Sequence, residues 1–278
     1  MNKIYKRLLA SQQTGISMIE LLISLAISSF LILGITQVYL DNKRNYIFQQ
    51  SQAGNQESSK FLVMLVDSYL NKAGYRRAPE ATKEFAFKSL PASADCEVFK
   101  TEASITKAKI GTGICIRYQP LTSQELDCTG QQTPAFDDSK AFSDKNNAVI
   151  MVLRYRQDPD ATKLNGTLEC KVGNQSADLL TGIADFRLQF ALDTNSDKTI
   201  ESIISADNWT SSSGDILQVR YAALMASEQN QRTSTNSSIL DTWNRDASNA
   251  SKSRLAAADK QHLYQLANSA VSMRNLMP

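Results

Sequence analysis

Histidine is almost missing: His262 is the only one in 278 residues. A Ser-His-Asp constellation would have to form on that one side chain, and no motif sets a nucleophile or an acid beside it. The eleven glycines build no phosphate-cradling loop. The four cysteines, at 96, 115, 128 and 170, contain no Cys-x-x-Cys pair, so their spacing gives no support to a zinc site. Formal net charge is only +2, which gives no reason to expect nucleic acid as a partner. There is no internal repeat. These absences point away from an enzyme. A charged fraction of 21% against an apolar fraction of 42% is the balance of a globular chain.

Charge is scarcest from Ile16 to Leu40, where Glu20 is the only charged residue. At about 1.5 Å of rise per residue, about 20 helical residues cross the hydrocarbon core of a bilayer, so this run is long enough to span. Lys3, Lys6 and Arg7 precede it, while Lys43 and Arg44 follow, so the positive-inside bias is weak. A secretory signal would end in a small-x-small cleavage site, but the chain continues Thr36-Gln37-Val38-Tyr39. A plain anchor gives no reason for Gly15 just before the span or for a carboxylate just inside it. A carboxylate there is costly and usually has a partner.

Beyond Val38 the helical pattern is expected to continue. Tyr46, Ile47, Ala53, Gly54, Ser58, Phe61, Leu62, Leu65, Tyr69 and Ala73 recur at three- and four-residue intervals. Gln49, Gln52, Gln56, Lys60, Asp67 and Lys72 fall mostly off that stripe. Gly74 reads as the C-terminal cap and Pro79 forbids an early restart. One helix is expected over about Ser17 to Ala73, with Gly34 and Gly54 as its weak points. Strand patterns follow at 114–118, 148–156, 166–172, 183–192 and 215–226, with a last strand near 270–275. One long helix followed by many strands predicts an α+β fold with a largely antiparallel sheet, one side of which the apolar helix face covers. Residues 228–253, rich in Ser, Asn, Thr and Gln, read as a long exposed loop in which Leu240 and Trp243 act as a local packing pin. Asp193, Asn195 and Asp197 place oxygen side chains at alternate positions, as a calcium loop does, and Glu201 could add a ligand. Lys198 stands where such a loop has glycine, so a solvated Asp/Asn turn is the stronger of the two readings.

Gly15-Ile16-Ser17-Met18-Ile19-Glu20-Leu21-Leu22 resembles the cleavage signal of type IV prepilins, usually written G-F-[ST]-L-[IV]-E. Ile16 and Met18 depart from the common Phe and Leu but remain apolar. Further on, Asn42-Lys43-Arg44-Asn45-Tyr46, Leu70 to Arg76, Cys128-Thr129-Gly130, Leu168-Glu169-Cys170, the run LLTGIADFRLQFALDTNSDK at 179–198 and Ala270 to Asn275 are similar to the PilW type of minor pilin. Arg77 stands where that family often has glycine. Residues 80–108 match nothing in it.

The resemblance implies a type IV pilin-like organisation. Residues 1–15 would be a prepilin leader, 16–40 the transmembrane half of the helix, 41–74 its amphipathic half and 75–278 a soluble β-rich domain. Prepilin peptidase would cut between Gly15 and Ile16, the new terminus would be N-methylated, and Glu20 would act in assembly. It also implies a disulfide between Cys128 and Cys170, which leaves Cys96 and Cys115 as the second pair. The implied partners are other minor pilins, the major pilin, the peptidase and inner-membrane lipid. The chain would wait in the inner membrane with its soluble domain in the periplasm, then join the surface pilus, at its tip. Two other readings share the first motif: a minor pseudopilin of a type II secretion system, and a tip adhesin or DNA-binding pilin. No cofactor is expected apart from the calcium reading of the Asp193 loop.

Overall fold

The structure is a computed structural model describing residues 15–78, 82–137, 139, 148–273 and 275. The basic leader residues Lys3, Lys6 and Arg7, and Pro79, lie outside the described residues. The chain divides into two compact units, Met1–Gln49 and Gln50–Pro278. Helix α1 (Met18–Lys72) contributes to both, and neither Gly34 nor Gly54 interrupts it.

In the second unit, α2 (Lys83–Ala86), β1 (Ile105–Lys107), β2 (Thr112–Tyr118), β3 (Val149–Arg156), β4 (Gly166–Val172), β5 (Gln175–Asp193), β6 (Ser202–Ser205), a 3₁₀ turn (Ala206–Asn208), β7 (Asp215–Asn230), α3 (Ser238–Arg245), α4 (Asn249–Ala258) and β8 (His262–Ser272) follow in order. The strands form one antiparallel sheet of eight in the order β1-β2-β3-β4-β5-β7-β8, with β6 paired to the end of β5. The fold is α+β, an apolar helix packed on an antiparallel sheet.

Alternation along the strands sends Ile116, Met151, Leu168, Leu188, Phe190, Val219 and Tyr221 to one face, where Leu62, Val66, Leu70 and Ala73 of α1 meet them. Each Leu or Ile fully removed from water there contributes about 1.5–3 kcal/mol. The buried stripe of α1 is Asn55, Ser59, Leu62, Val66 and Leu70; of the expected stripe, Leu62 and Ala73 are buried and Leu65 and Tyr69 pack beside them. Gly54 is exposed and Phe61 is 40% exposed. The apolar tally missed two polar members of the true stripe. Asn55 Nδ2 donates to Leu263 O at 2.9 Å. Asp67, assigned away from the packing face, accepts from Tyr221 Oη at 2.6 Å and Ser269 Oγ at 3.1 Å. Such bonds fix the register of a helix on a sheet, because a slip would strand buried polar atoms.

Gly74 closes α1 at φ 73°, the left-handed conformation that glycine adopts without a Cβ penalty. Its N–H donates to Arg117 O at 2.9 Å. Asn275 Nδ2 donates to the carbonyls of Asn71 and Ala73, acceptors that a helix end leaves unpaired.

Residues 228–253 are not a long exposed loop. β7 runs on to Asn230, and α3 and α4 bury Leu240, Trp243, Leu255 and Ala258 against Ala184, Leu224, Ala226 and Tyr264. Helices of eight and ten residues are too short to show a sustained period, so composition concealed them. Ser237 and Ser248 cap these helices, their hydroxyls accepting from Leu240 N and Ser251 N.

Candidate functional site

The described residues start at Gly15. The Ser17 carbonyl accepts from Glu20 N at 3.0 Å and Leu21 N at 3.1 Å, opening α1. Glu20 lies in the first turn, where the exposed N–H groups favour a negative side chain. From Gly15 through Tyr46 every residue is exposed, Ile16 at 74% and Phe30 at 76%. Three hydroxyls within the apolar run bond to their own helix. Ser24, Ser29 and Thr36 donate to the carbonyls of Leu21, Ala26 and Ile32 at 2.9, 2.7 and 2.7 Å. A hydroxyl bonded to its own helix demands nothing from its surroundings, which suits hydrocarbon. Among the described residues this is the one helix long and apolar enough to cross a membrane.

In the second unit, disulfides join Cys96 to Cys115 and Cys128 to Cys170. The first ties residues 87–108 to β2, and the second ties the loop after β2 to β4. Sequence reasoning passed over Arg117 beside the first bridge, which is 1% exposed. Its guanidinium donates to the carbonyls of Phe87, Lys88, Lys100 and Ala103 and lies over the Phe87 and Phe99 rings at 5.2 and 4.9 Å. Burial pushes it down to about 10, so it stays charged at neutral pH. One cation thus organises a segment with little regular structure.

The α3–α4 pair is held by a charge. Ile183 and Phe186 both face the α1 side of the sheet, because a bulge between Ile183 and Asp185 spends one extra residue. That residue step turns Asp185, 7% exposed, under the helices. Its carboxylate accepts from Trp243 Nε1 at 2.8 Å, from Arg254 Nη2 at 2.9 Å and from Ser251 Oγ. Arg187 stacks on the Trp243 ring at 3.9 Å. Burial holds that guanidinium below its ordinary value, against the pull of Asp185 and Asp246. The irregular step in "IADFRLQF" was the signal for this bulge.

Carboxylate oxygens of Asp193, Asp197 and Glu201 lie within 4.8 Å of one another. Asn195, the other residue of the expected set, gives its Nδ2 to Asp197 Oδ2 at 3.1 Å. Asp193 accepts from the backbone N–H groups of Asn195, Ser196 and Lys198 at 3.1, 2.6 and 2.8 Å. Glu201 Oε2 accepts from Thr194 N at 2.8 Å. The loop closes on its own oxygens, with Ser196 and Lys198 at φ 66° and 68°.

His262 holds its Nδ1 2.7 Å from Ser227 O at the start of β8. It joins β7 to β8, and no nucleophile is bonded to it among the described contacts.

No curated protein and no solved structure matches the chain with significance. Residues 147–275 match the model of the PilW family, described as Type IV Pilus-assembly protein W. The matched stretch runs from β3 to the end of β8 and contains Cys170, the Asp185 bulge and the α3–α4 pair. Together with the apolar N-terminal helix, the family points to membrane anchoring. Residues 147–275 thus carry the PilW family's domain, which supports a PilW-type type IV pilus protein with a part in pilus assembly.

Proposed function

We propose that this chain is a minor pilin that joins other minor pilins in a complex priming the type IV pilus, at the fibre tip. Residues 1–15 are its leader. Prepilin peptidase cuts between Gly15 and Ile16, and the new terminus is methylated. Residues 16–40 hold the chain in the inner membrane, residues 41–74 continue the helix, and 75–278 form the periplasmic domain that touches unlike neighbours and the major pilin. The observation that carries this reading is the uncovered apolar helix from Met18 with one carboxylate in its first turn.

After cleavage, Ile16 becomes the amino terminus and Glu20 follows four residues on, in the first turn of α1. A charge at the centre of a bilayer costs about 2.5–3.5 kcal/mol on insertion scales. The positive terminus of a neighbouring subunit offsets that cost and sets the axial register between the two helices.

Immunoblots of membrane and sheared-pilus fractions test this. Glu20→Ala is expected to be cut and to stay in the membrane, yet to enter pili poorly. Gly15→Val is expected to remain uncut. Incorporation of Glu20→Ala at the parental level would remove the carboxylate from assembly. Pull-downs of the co-expressed chain that return only its own copies would argue against the mixed complex.

A further inference from the structure

The second unit has a small cleft that the pilus reading does not use. It lies between residues 98–105 and the start of β7, with a volume of about 90 Å³. One water-sized group needs about 10–15 Å³ on this measure, so the cleft has room for roughly six to nine such groups. That is the size of a small organic molecule, and too little for a peptide.

Its walls combine three chemistries. Val98, Ile105, Ile216 and Leu217 supply an apolar lining. Ser104 and Trp209, 0% and 7% exposed, carry an Oγ and an Nε1 with no hydrogen-bond partner among the described residues. Both atoms lie beneath the surface of the wall, so the groups that meet a ligand are the apolar side chains and the charged rim. Lys83, Lys100 and Lys198 bring three ammonium groups against the carboxylates of Glu102 and Asp215. The excess is positive, and it crowds: Lys83 is held below its ordinary value by burial, then by Lys198 and Arg76, with Glu102 opposing.

The backbone is shaped for this. Lys198 sits at φ 68°, and its N–H is held by Asp193 Oδ2 at 2.8 Å. Asp193 is therefore a positioning residue for the Lys198 side chain. Gly214, at φ 125°, lines the cleft where a Cβ would meet Asp193 O at 2.5 Å.

We propose that this cleft binds a small organic carboxylate, its charge held by Lys100 and Lys198 at the rim and its apolar body seated against Val98, Ile105, Ile216 and Leu217. The site does not depend on the chain's role in assembly. An apolar amide of the same shape satisfies the lining but not the ammonium groups, so the charge is the discriminating feature.

The test uses the full chain in detergent micelles, with lysines dimethylated with carbon-13 and observed by NMR. Benzoate is the probe and benzamide its neutral isostere. Benzoate should shift the Lys100 and Lys198 signals saturably, with half-saturation near about 1 mM, an affinity suited to a ligand of nine heavy atoms. Benzamide should shift them at least about tenfold less readily, the loss of about one charge-assisted hydrogen bond. Lys198→Glu and Lys100→Gln, both changes at exposed side chains, should each weaken benzoate at least tenfold by the same reasoning, with unchanged melting. The proposal is overturned if benzoate gives no saturable shift, if benzamide binds as well, or if both variants bind like the parent.

Discussion

Two stretches of one helix show opposite answers to the same composition. From Met18 to Tyr46 the large apolar side chains of α1 are left uncovered; from Asn55 to Leu70 one stripe, with Leu62, Val66 and Leu70 as its apolar members, is buried against the sheet. The first stretch presents apolar side chains all round and bonds the hydroxyls of Ser24, Ser29 and Thr36 to its own carbonyls. The second presents one stripe, adds Asn55 and Asp67 as polar latches, and leaves Lys60, Met64 and Ser68 outside. Surroundings without polar partners require the first pattern. A β-sheet with a polar far side requires the second. The teaching is that an apolar helix declares its surroundings by whether its polar residues look inward to itself or outward to a neighbour.

The comparison can be broken most severely on the sheet side. Replacing Asp185 with Ala should cost about 3–5 kcal/mol, because it leaves Arg254 buried without its carboxylate and orphans the Trp243 N–H. Urea unfolding of the full chain in detergent, followed by tryptophan fluorescence, reads this directly.

Next comes the paired substitution that separates the two stretches. Leu62→Ala should destabilise the domain by about 2–5 kcal/mol, since Leu62 is 0% exposed. Phe30→Ala, at a position 76% exposed, should leave the same unfolding curve unchanged. Equal losses in both variants would erase the distinction between the stretches.

Acid should act on the sheet-bearing unit. Burial raises Glu169 and Asp259, but hydrogen bonds and charge from Arg154 and Arg232 outweigh it and hold both carboxyls below their ordinary range. Carboxylates lowered on folding contribute fully above their unfolded values, about 3.9–4.3, and lose that contribution as pH falls through the folded ones. The melting temperature should therefore hold from pH 7 to about pH 5 and drop below about pH 4. Arg154→Gln should shift that drop upward in pH.

The smallest effect expected is from calcium. The Asp193 loop meets its own oxygens with backbone N–H groups, and Lys198 brings a positive side chain. Calorimetry should give no heat at about 1 mM calcium, the affinity range of the weakest extracellular calcium modules. Binding heat that vanishes in Asp197→Asn would assign the loop to a cation instead.

Local chemistry along the chain was enough to establish several things. The long apolar helix, its end at Gly74 and the strands at 149–156, 166–172 and 215–226 all rest on neighbouring residues and their period. What needed the tertiary structure was every feature that depends on contacts between distant parts of the chain. Arg117 has its acceptors 14 to 30 residues away. Asp185 is fixed by residues 58 to 69 positions on. Asn55 finds its acceptor 208 residues away. Helices α3 and α4 read as loop because their burial depends on two or three apolar residues each meeting the far face of the sheet, a match that no window along the chain contains. The same holds for the carboxylate cleft: Ser104 and Trp209 are ordinary residues in sequence, and only folding sets them in one wall with three lysines.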